Sequence, residues 1–269
     1  MRSFLTRLLV AAVAIPALVF IFYRGDEWLR LLVTALIVLG MIEAQRLFAK
    51  TGASFAIAPS VVLALLTPWL AGRYWAGFTW PVWLILLFVV AAIPVVRAHD
   101  IKVAGAGIAA HITSVLWIGV GLGALLGVRD IPDGAGFWWL LLLFANLWIG
   151  DTAAYLFGVW LGKTKLSPVV SPMKTIVGAV AQVVASALVG VVFVMADWFT
   201  ASAALLMAAS IVIGVVGQIG DLFESALKRA AGEKDSSTLI PGHGGVLDRF
   251  DSAMFAAPSL YALIQVWPR

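Results

Sequence analysis

The sequence predicts an all-α polytopic integral membrane protein of about nine transmembrane helices, with its polar loops and helix ends on the cytoplasmic side. Of its 269 residues, 62% are hydrophobic and only 12% are charged, and the mean hydropathy is +1.03. This composition excludes an ordinary soluble domain and is typical of polytopic membrane proteins. Long apolar segments and an uneven distribution of lysine and arginine support the same prediction.

Apolar segments recur along the whole chain, and several are near the minimum length of about 20 residues for a helix that crosses a membrane. The first contains Arg2 and Arg7 before its apolar run, as a signal peptide does. No small-residue cleavage site follows, so we expect a retained helix. The segments are residues 1–23, 29–48, 55–70, 80–96, 112–128, 137–158, 176–195, 201–227 and 250–267.

The basic residues favour one orientation across the membrane. If the N-terminus is cytoplasmic, thirteen lysines and arginines lie inside and five lie outside. This bias follows the positive-inside rule and places the polar stretches 163–174 and 218–251 in the cytoplasm. The inside residues are Arg2, Arg7, Arg46, Lys50, Arg97, Lys102, Lys163, Lys165, Lys174, Lys228, Arg229, Lys234 and Arg249, and the outside residues are Arg24, Arg30, Arg73, Arg129 and Arg269.

Composition also limits the class of partner. A net charge of +4 and a pI near 9.6 could indicate nucleic-acid binding. In so apolar a chain, cytoplasmic loops and lipid headgroups explain the basic excess better, so we expect membrane lipids and no nucleic acid as partners. The chain has no cysteine, which excludes disulfides, thiolate metal sites and a cysteine nucleophile. His99, His111 and His243 are too scattered for a zinc site.

The stretch 218–251 concentrates the polar groups of the chain. Asp221, Glu224, Ser225 and Lys228 are spaced i, i+3, i+4 and i+7, which places them on one face of a helix. Carboxylates at the end of an apolar helix are costly unless they are paired, hydrated or bound to a cation. A bound metal ion would satisfy them.

The loop that follows combines a turn with closely spaced acids. Residues 241–245, PGHGG, predict a turn whose exposed N–H groups can approach an anion closely. Asp248 and Asp251 then lie three positions apart where a new helix begins, so both can face the same way. Magnesium takes such oxygen ligands together with substrate phosphates. The alternative is a solvated loop whose charges merely flank two transmembrane helices.

A second polar segment extends from Asp151 to Gly178. Asp151 ends an apolar run, where an acid is costly. Hydroxyl and ammonium groups then cluster in a loop broken by prolines, and such a loop suits phosphate. The alternative is a basic loop that only senses anionic lipid. The cluster comprises Lys163, Lys165, Ser167, Ser171, Lys174 and Thr175.

Small residues recur every four positions in two segments and predict close contact between helices. The small-residue stripes are Gly119, Gly123 and Gly127, and Gly150, Ala154, Gly158 and Gly162.

Glu43 interrupts another apolar segment. It is either a polar contact within the bundle or a helix-end acid paired with Arg46.

Residues 225–251, SALKRAAGEKDSSTLIPGHGGVLDRFD, resemble the signature of the phosphatidate cytidylyltransferase (CDP-diacylglycerol synthase) family, bacterial type. The length and hydrophobic profile are also similar, so the resemblance covers the whole chain. The family's second motif usually reads SPxKTxEG and follows an Asp-Thr pair. Val177 stands where the family has glutamate, which leaves the reaction class intact if that glutamate is supportive. The matching residues are Asp151, Thr152, Ser171, Pro172, Lys174, Thr175 and Gly178.

The resemblance implies an enzyme that transfers CMP from CTP to phosphatidic acid, giving CDP-diacylglycerol and pyrophosphate for phospholipid biosynthesis. It implies one membrane-embedded domain, 1–269, with N-terminal helices in 1–135 and catalytic helices and loops in 136–269. The expected location is the inner (plasma) membrane, with the active site facing the cytoplasm. Mg²⁺ is the implied cofactor, a second, monovalent cation such as K⁺ accompanies it in the family, and the family suggests a homodimer.

The resemblance also implies a role for each site residue. Asp221 and Asp248 are the expected principal metal ligands, with Asp251 and Glu224 as further partners. A second group is expected to bind the triphosphate or the leaving pyrophosphate, and a third the lipid phosphate or the remaining nucleotide phosphates. His243 either donates to a phosphate oxygen or pins the loop. The second group is Lys228, Arg229, Lys234, Gly244 and Gly245, the third is Ser171, Lys174 and Thr175, and Ser225 and Arg249 are further candidates for substrate binding.

Three other functions are compatible with parts of the sequence. A CTP-dependent lipid kinase of the dolichol or phytol type would transfer the γ-phosphoryl group and release CDP. A cation transporter would also place acids and glycines among helices, but at mid-membrane rather than at cytoplasmic helix ends. A non-catalytic paralogue is suggested by Val177.

Overall fold

The structure, a computed structural model, describes residues 2–53, 56–71, 79–97, 100–240 and 242–268, and most of these residues are helical, as predicted. Within this described part, a helix lies on every predicted apolar segment. The helices are α1 Arg2–Arg24, α2 Asp26–Lys50, α3 Ile57–Ala71, α4 Thr79–Arg97, α5 Ile101–Ser114, α6 Gly121–Arg129, α7 Ala135–Leu161, α8 Ile176–Ala196, α9 Ala203–Ala230 and α10 Leu247–Val266.

Among the residues that the structure describes, five helical stretches are long and apolar enough to cross a membrane by length and composition, which agrees with an all-α membrane protein. The fifth predicted segment, 112–128, begins earlier than expected. A π-helical segment, Val115–Val120, joins α5 to α6, so the helix is continuous from Ile101 to Arg129. Asp100 caps its start by accepting a hydrogen bond from the Lys102 N–H at 2.6 Å. The count of nine spans stays a prediction.

A short β-hairpin departs from the all-α prediction. Strand β1, Lys165–Ser167, pairs antiparallel with β2, Ser171–Thr175, inside the segment that the sequence predicts as a loop. Proline cannot continue a helix here, and the two strands satisfy their backbone groups by pairing with each other. Thr175 ends β2 and caps α8, because its hydroxyl accepts a hydrogen bond from the Gly178 N–H at 3.1 Å.

The contacts divide the chain into two compact units. Unit 1 comprises Met1–Gly127 and Leu227–Phe250, and unit 2 comprises Val128–Ala226 and Asp251–Arg269. We predicted one domain, 1–269, whose N-terminal helices lie in 1–135 and whose catalytic helices and loops lie in 136–269, and this division stays a prediction. Helix α9 belongs to unit 2 up to Ala226, and its last turn belongs to unit 1.

The predicted small-residue stripes lie at close helix contacts. In unit 2, a Cβ on Gly150 would lie 3.0 Å from the Gln182 Cγ atom, so α7 and α8 touch there. In unit 1, a Cβ on Gly119 would lie 2.9 Å from the Ala64 Cα atom. Contacts this close leave no room for a larger side chain. The prediction of close packing is confirmed at these positions.

Candidate functional site

The loop of unit 1 that contains the predicted site is held by Glu43. This side chain lies on α2, and the residue is 2% exposed. Its Oε1 atom accepts hydrogen bonds from the Ser237 hydroxyl at 2.7 Å and the Val246 N–H at 3.0 Å. Its Oε2 atom accepts hydrogen bonds from the Ser236 hydroxyl and the Leu247 N–H, both at 2.9 Å. Glu43 is therefore a polar contact within unit 1, the first of the two interpretations that its sequence position allows.

Asp248 stands at the start of α10 and is surrounded by donors. Its Oδ2 atom accepts hydrogen bonds from the Ser236 N–H and hydroxyl, both at 2.7 Å, and from the Gly245 N–H at 2.8 Å. Its Oδ1 atom accepts one from the Lys228 ammonium at 2.5 Å. The side chains of Lys228 and Asp248 are 11% and 4% exposed. The pair is therefore a buried ion pair whose carboxylate is saturated by donors.

These contacts set the charge of Asp248. Burial alone would raise the pKa of its carboxyl group, but the hydrogen bonds from the Gly245 N–H, Lys228 and Ser236, together with the lysine charge, lower it. The net effect is a pKa below the ordinary value of 3.8. Asp248 is therefore an anion at neutral pH.

Two of the three glycines of the PGHGG loop, Gly244 and Gly245, make these contacts possible. Gly244 has φ +78°, and a Cβ on it would lie 2.5 Å from the Asp248 Oδ2 atom. A Cβ on Gly245 would overlap the Ser236 hydroxyl and the Glu43 carboxylate. The Gly245 N–H, which the sequence predicts to bind a substrate phosphate, donates its hydrogen bond to Asp248 in this structure. Pro241 lies outside the described residues.

The last turn of α9 and the residues after it form polar contacts within unit 1. Arg229, predicted to bind phosphate, donates a hydrogen bond from Nη1 to the Glu233 carbonyl oxygen at 2.9 Å. The Glu233 side chain forms an exposed ion pair with Lys50, at the end of α2. Gly232 ends the helix with φ +72°. In this structure the arginine closes the turn after the helix.

An open polar pocket of about 670 Å³ lies in unit 1 beside this network. Three predicted substrate-binding side chains line it: Lys234, His243 and Arg249. Gly244 lines the same pocket, and Asp235 contributes one carboxylate. The lining thus contains two cationic side chains, Lys234 and Arg249, and one carboxylate, and this excess of positive charge favours an anionic ligand. The pocket is therefore the candidate anion site of unit 1.

Unit 2 contains the other half of the predicted residues. Lys174, on β2, forms an ion pair with Asp221, on α9, and their side chains are 27% and 32% exposed. The Ser225 hydroxyl donates a hydrogen bond to the Asp221 Oδ1 atom at 3.3 Å, which confirms the predicted helical register of these two residues. The hairpin is thereby joined to α9 by a partly exposed pair of opposite charges.

Several predicted residues of unit 2 serve packing or capping in this structure. The Thr175 hydroxyl caps α8, and the residue is 4% exposed. Asp151 accepts a hydrogen bond from the Gln182 side-chain amide at 3.0 Å. Glu224 is fully buried on α9. Asp251 accepts a hydrogen bond from the Ser252 N–H at 2.6 Å. Ser171 begins β2 and is half-buried.

The fit of magnesium depends on the donors available. Among the residues that the structure describes, no group of three or more histidine and acidic side chains could hold a metal ion. Magnesium commonly needs only one or two carboxylates, because substrate phosphates and water complete its six ligands. Asp221 is paired with Lys174, but its side chain is 32% exposed and is therefore accessible for that role. At Asp248, Lys228 holds the Oδ1 position that a metal would need.

Sequence analysis brought Lys228, Asp248 and Gly245 into one candidate site, and the structure joins them in unit 1. It likewise joins Lys174, Asp221 and Ser225 in unit 2. Sequence analysis did not identify Ser236 as a site residue, because a serine in a polar loop has no pattern that distinguishes it from its neighbours. Glu43 gave a signal, a lone acid in an apolar segment, but its role needed the structure.

Comparison with known proteins identifies the family of the chain. The profile of the cytidylyltransferase family matches residues 5–267, nearly the whole chain. The chain belongs to the cytidylyltransferase family. Within this family it is similar to proteins named phosphatidate cytidylyltransferase. It is 42% identical to that of Staphylococcus haemolyticus, 43% to that of Staphylococcus epidermidis and 40% to that of Staphylococcus aureus.

Each of these alignments extends over 151 residues, which are 56% of this chain and 56% of the relative. The chain thus spans little more than half the length of the curated relatives that it matches. The resemblance that the sequence motifs indicated is confirmed at the level of the family.

Proposed function

We propose that this cytidylyltransferase family member transfers CMP from CTP to phosphatidic acid, giving CDP-diacylglycerol and pyrophosphate. The observation that carries the proposal is the polar pocket of unit 1, where Lys234, His243 and Arg249 meet the loop anchored by Asp248. The names of the staphylococcal relatives support the choice of lipid acceptor.

The reaction needs charge neutralisation more than proton transfer. A phosphate oxygen of the lipid attacks the α-phosphorus of CTP, and the bond from that phosphorus to the bridging oxygen breaks. Pyrophosphate leaves with the electron pair. The attacking oxygen is already anionic at neutral pH, so cationic side chains and in-line positioning are the main requirements.

The cations of unit 1 suit the triphosphate. Lys234 and Arg249 line the pocket with His243, where they can neutralise the phosphates of CTP and the charge that develops on pyrophosphate. Lys228 forms a buried ion pair with Asp248. A phosphate can compete for this ammonium group and free an Asp248 oxygen as a ligand.

Unit 2 offers groups for the lipid. Lys174 and Ser171 lie on β2 and can bind the lipid phosphate, with Thr175 supporting the strand end. An apolar groove of about 470 Å³ lies along α8 and α9 and includes Leu166 of the hairpin and Leu222 of α9. Such a groove suits an acyl chain.

Magnesium is part of the proposal. Asp221 and Asp248 would hold it, with Asp251 and Glu224 as further partners, and it would supply positive charge to the phosphates. A second, monovalent cation such as potassium is part of the same proposal.

We further propose nine membrane spans, with the polar loops of both units in the cytoplasm. The excess of lysine and arginine in these loops supports this orientation, and CTP is a cytoplasmic nucleotide. The inner (plasma) membrane is the proposed location, the whole chain is the proposed catalytic domain, and small-residue stripes permit a homodimer.

The test is product analysis with detergent-purified protein, CTP, phosphatidic acid and magnesium. We expect equal amounts of pyrophosphate and a CMP-containing lipid from the wild type, and neither product from Asp248→Asn. Release of CDP instead of pyrophosphate would assign a lipid kinase. No product, under conditions where a known synthase works, would favour a catalytically altered paralogue, for which Val177 is the motivating departure.

Lys234→Met and Arg249→Met test the pocket itself. Each removes one cation from the unit 1 pocket, so we expect a higher KM for CTP and little change in KM for phosphatidic acid. Arg30→Met is the control, because Arg30 is paired with Glu27 in an exposed ion pair on α2.

A further inference from the structure

The glutamate that anchors the site loop lies far from it in sequence. Glu43 is 193 to 204 positions from the four groups that donate hydrogen bonds to it, and two donors contact each of its oxygens. We propose that Glu43 is a positioning residue for CMP transfer, because it fixes the loop 236–247 and, through Ser236, the carboxylate of Asp248. The inference rests on the proposed function.

Two of the four donors are backbone groups at a helix start. The N–H groups of Val246 and Leu247 stand at the N-terminus of α10 and are among those that a helix leaves without partners of its own. Glu43 therefore caps α10 from another helix. A negative charge is also favoured at this end of a helix dipole. The direction in which α10 leaves the loop, and with it the position of Asp248, depends on this contact.

The other link passes through one hydroxyl group. The Ser236 Oγ atom lies 2.9 Å from the Glu43 Oε2 atom and 2.7 Å from the Asp248 Oδ2 atom. A serine hydroxyl has a single proton, so it is shared between the two carboxyl groups. Displacing either acid changes the donor available to the other. The Ser237 hydroxyl binds Glu43 as well, but its other hydrogen bond is accepted from the Leu239 N–H and not made to Asp248.

The Glu43→Gln variant distinguishes the effect of side-chain size from the effect of the hydrogen bonds that the carboxylate accepts. The amide keeps the size of the side chain but has one acceptor oxygen and one NH₂ group. Serine hydroxyls can rotate to accept from this NH₂ group, whereas backbone N–H groups cannot. Whichever way the amide is turned, its NH₂ group faces the N–H of either Val246 or Leu247. One end of the α10 cap is therefore lost in every orientation.

We expect kcat/KM for CTP to fall about 10- to 100-fold in Glu43→Gln, the range typical when the partner that orients an active-site ligand is removed. KM for CTP should rise and KM for phosphatidic acid should not change. A variant that only had a smaller folded fraction would show a lower kcat, with both KM values unchanged. Amide hydrogen exchange should also accelerate at Val246 and Leu247. Glu43→Asp, which keeps both acceptor oxygens, should recover part of the loss.

Glu27→Gln is the matched control. It is the same substitution on the same helix, at a side chain that is 75% exposed, and it should leave both kinetic constants unchanged. A second comparison uses the serines. Ser236→Ala breaks the link to Asp248 and should reduce kcat/KM for CTP more than Ser237→Ala, which removes one hydrogen bond to Glu43 and one from the Leu239 N–H but none to Asp248.

The positioning role is wrong if Glu43→Gln has the kinetic constants of Glu27→Gln. It is also wrong if the loss is confined to kcat and follows the folded fraction. Equal effects of the two serine variants would remove the link through Ser236. If the wild type forms no CMP-containing lipid, the proposed function fails and this inference falls with it, an outcome that the wild type alone reveals.

Discussion

Lys228 and Asp248, twenty positions apart, form a buried ion pair in which the ammonium nitrogen lies 2.5 Å from the Oδ1 atom. Lys228 lies in the last turn of α9 and Asp248 in the first turn of α10, so the pair closes the loop between the two helices. The remaining Asp248 oxygen is held by Ser236 and Gly245. The aspartate that we propose as a metal ligand thus also organises the loop around it.

Removing the lysine should destabilise the protein. Lys228→Met keeps much of the side-chain volume but leaves the Asp248 charge buried without its counter-ion, which costs about 3 kcal/mol when hydrogen bonds to the carboxylate remain. We expect a lower midpoint in thermal unfolding followed by tryptophan fluorescence. Lys102→Met, at an exposed lysine, is the control. Equal midpoints for the two variants would show that the pair adds nothing to stability.

The lowered pKa of Asp248 predicts a pH dependence of stability. Its hydrogen bonds favour the charged form in the folded protein, so its contribution is fully present above the unfolded value of 3.8 and is lost as pH falls through the lower folded pKa. The difference in unfolding midpoint between wild type and Asp248→Asn should be largest above pH 4 and shrink below it. Asp197→Asn, at an exposed site with φ +49°, should show no such change. A constant difference for Asp248→Asn down to pH 3 would contradict the prediction.

Most of the fold could be predicted because hydropathy over 20 residues is a strong local signal. The β-hairpin could not, since strands of three and five residues leave almost no periodic pattern. The early start of α5 was missed for a similar reason, because Gly105 and Gly107 lower helix propensity where Asp100 provides the cap.

The site was predictable in its residue types and less so in its contacts. The spacing of Asp221 and Ser225 gave their helical register, which the structure confirms. Glu43 could not be matched with its partners, because helix packing rather than local pattern brings them together across about two hundred positions. Arg229 has a local partner four residues away, and sequence alone did not distinguish that contact from phosphate binding.

The ion pair between Lys174 and Asp221 should matter for activity more than for stability. Both side chains are about 30% exposed, so the pair contributes less than about 1 kcal/mol to folding. We expect Lys174→Met to change the unfolding midpoint little and to raise KM for phosphatidic acid, whereas Lys174→Arg retains part of the affinity. Lys102→Met again serves as the control. A large fall in stability without a change in KM would assign the lysine a structural role.

Two helical glycines offer a matched test of packing. Gly220, in α9, faces α10 so closely that a Cβ would lie 2.5 Å from the Asp251 carbonyl oxygen and 3.1 Å from the Ser252 Cα atom, and backbone atoms cannot move aside cheaply. Gly105, in α5, has no atom from the described part of the chain within 4 Å of the same position. Gly220→Ala should therefore lower the unfolding midpoint, despite the helix propensity of about 1 kcal/mol that alanine adds. Gly105→Ala should leave the midpoint unchanged or raise it, because it gains the propensity without the overlap. If the two variants unfold alike, α9 and α10 are not in contact at Gly220, and the position of Asp251 on α10 must be revised.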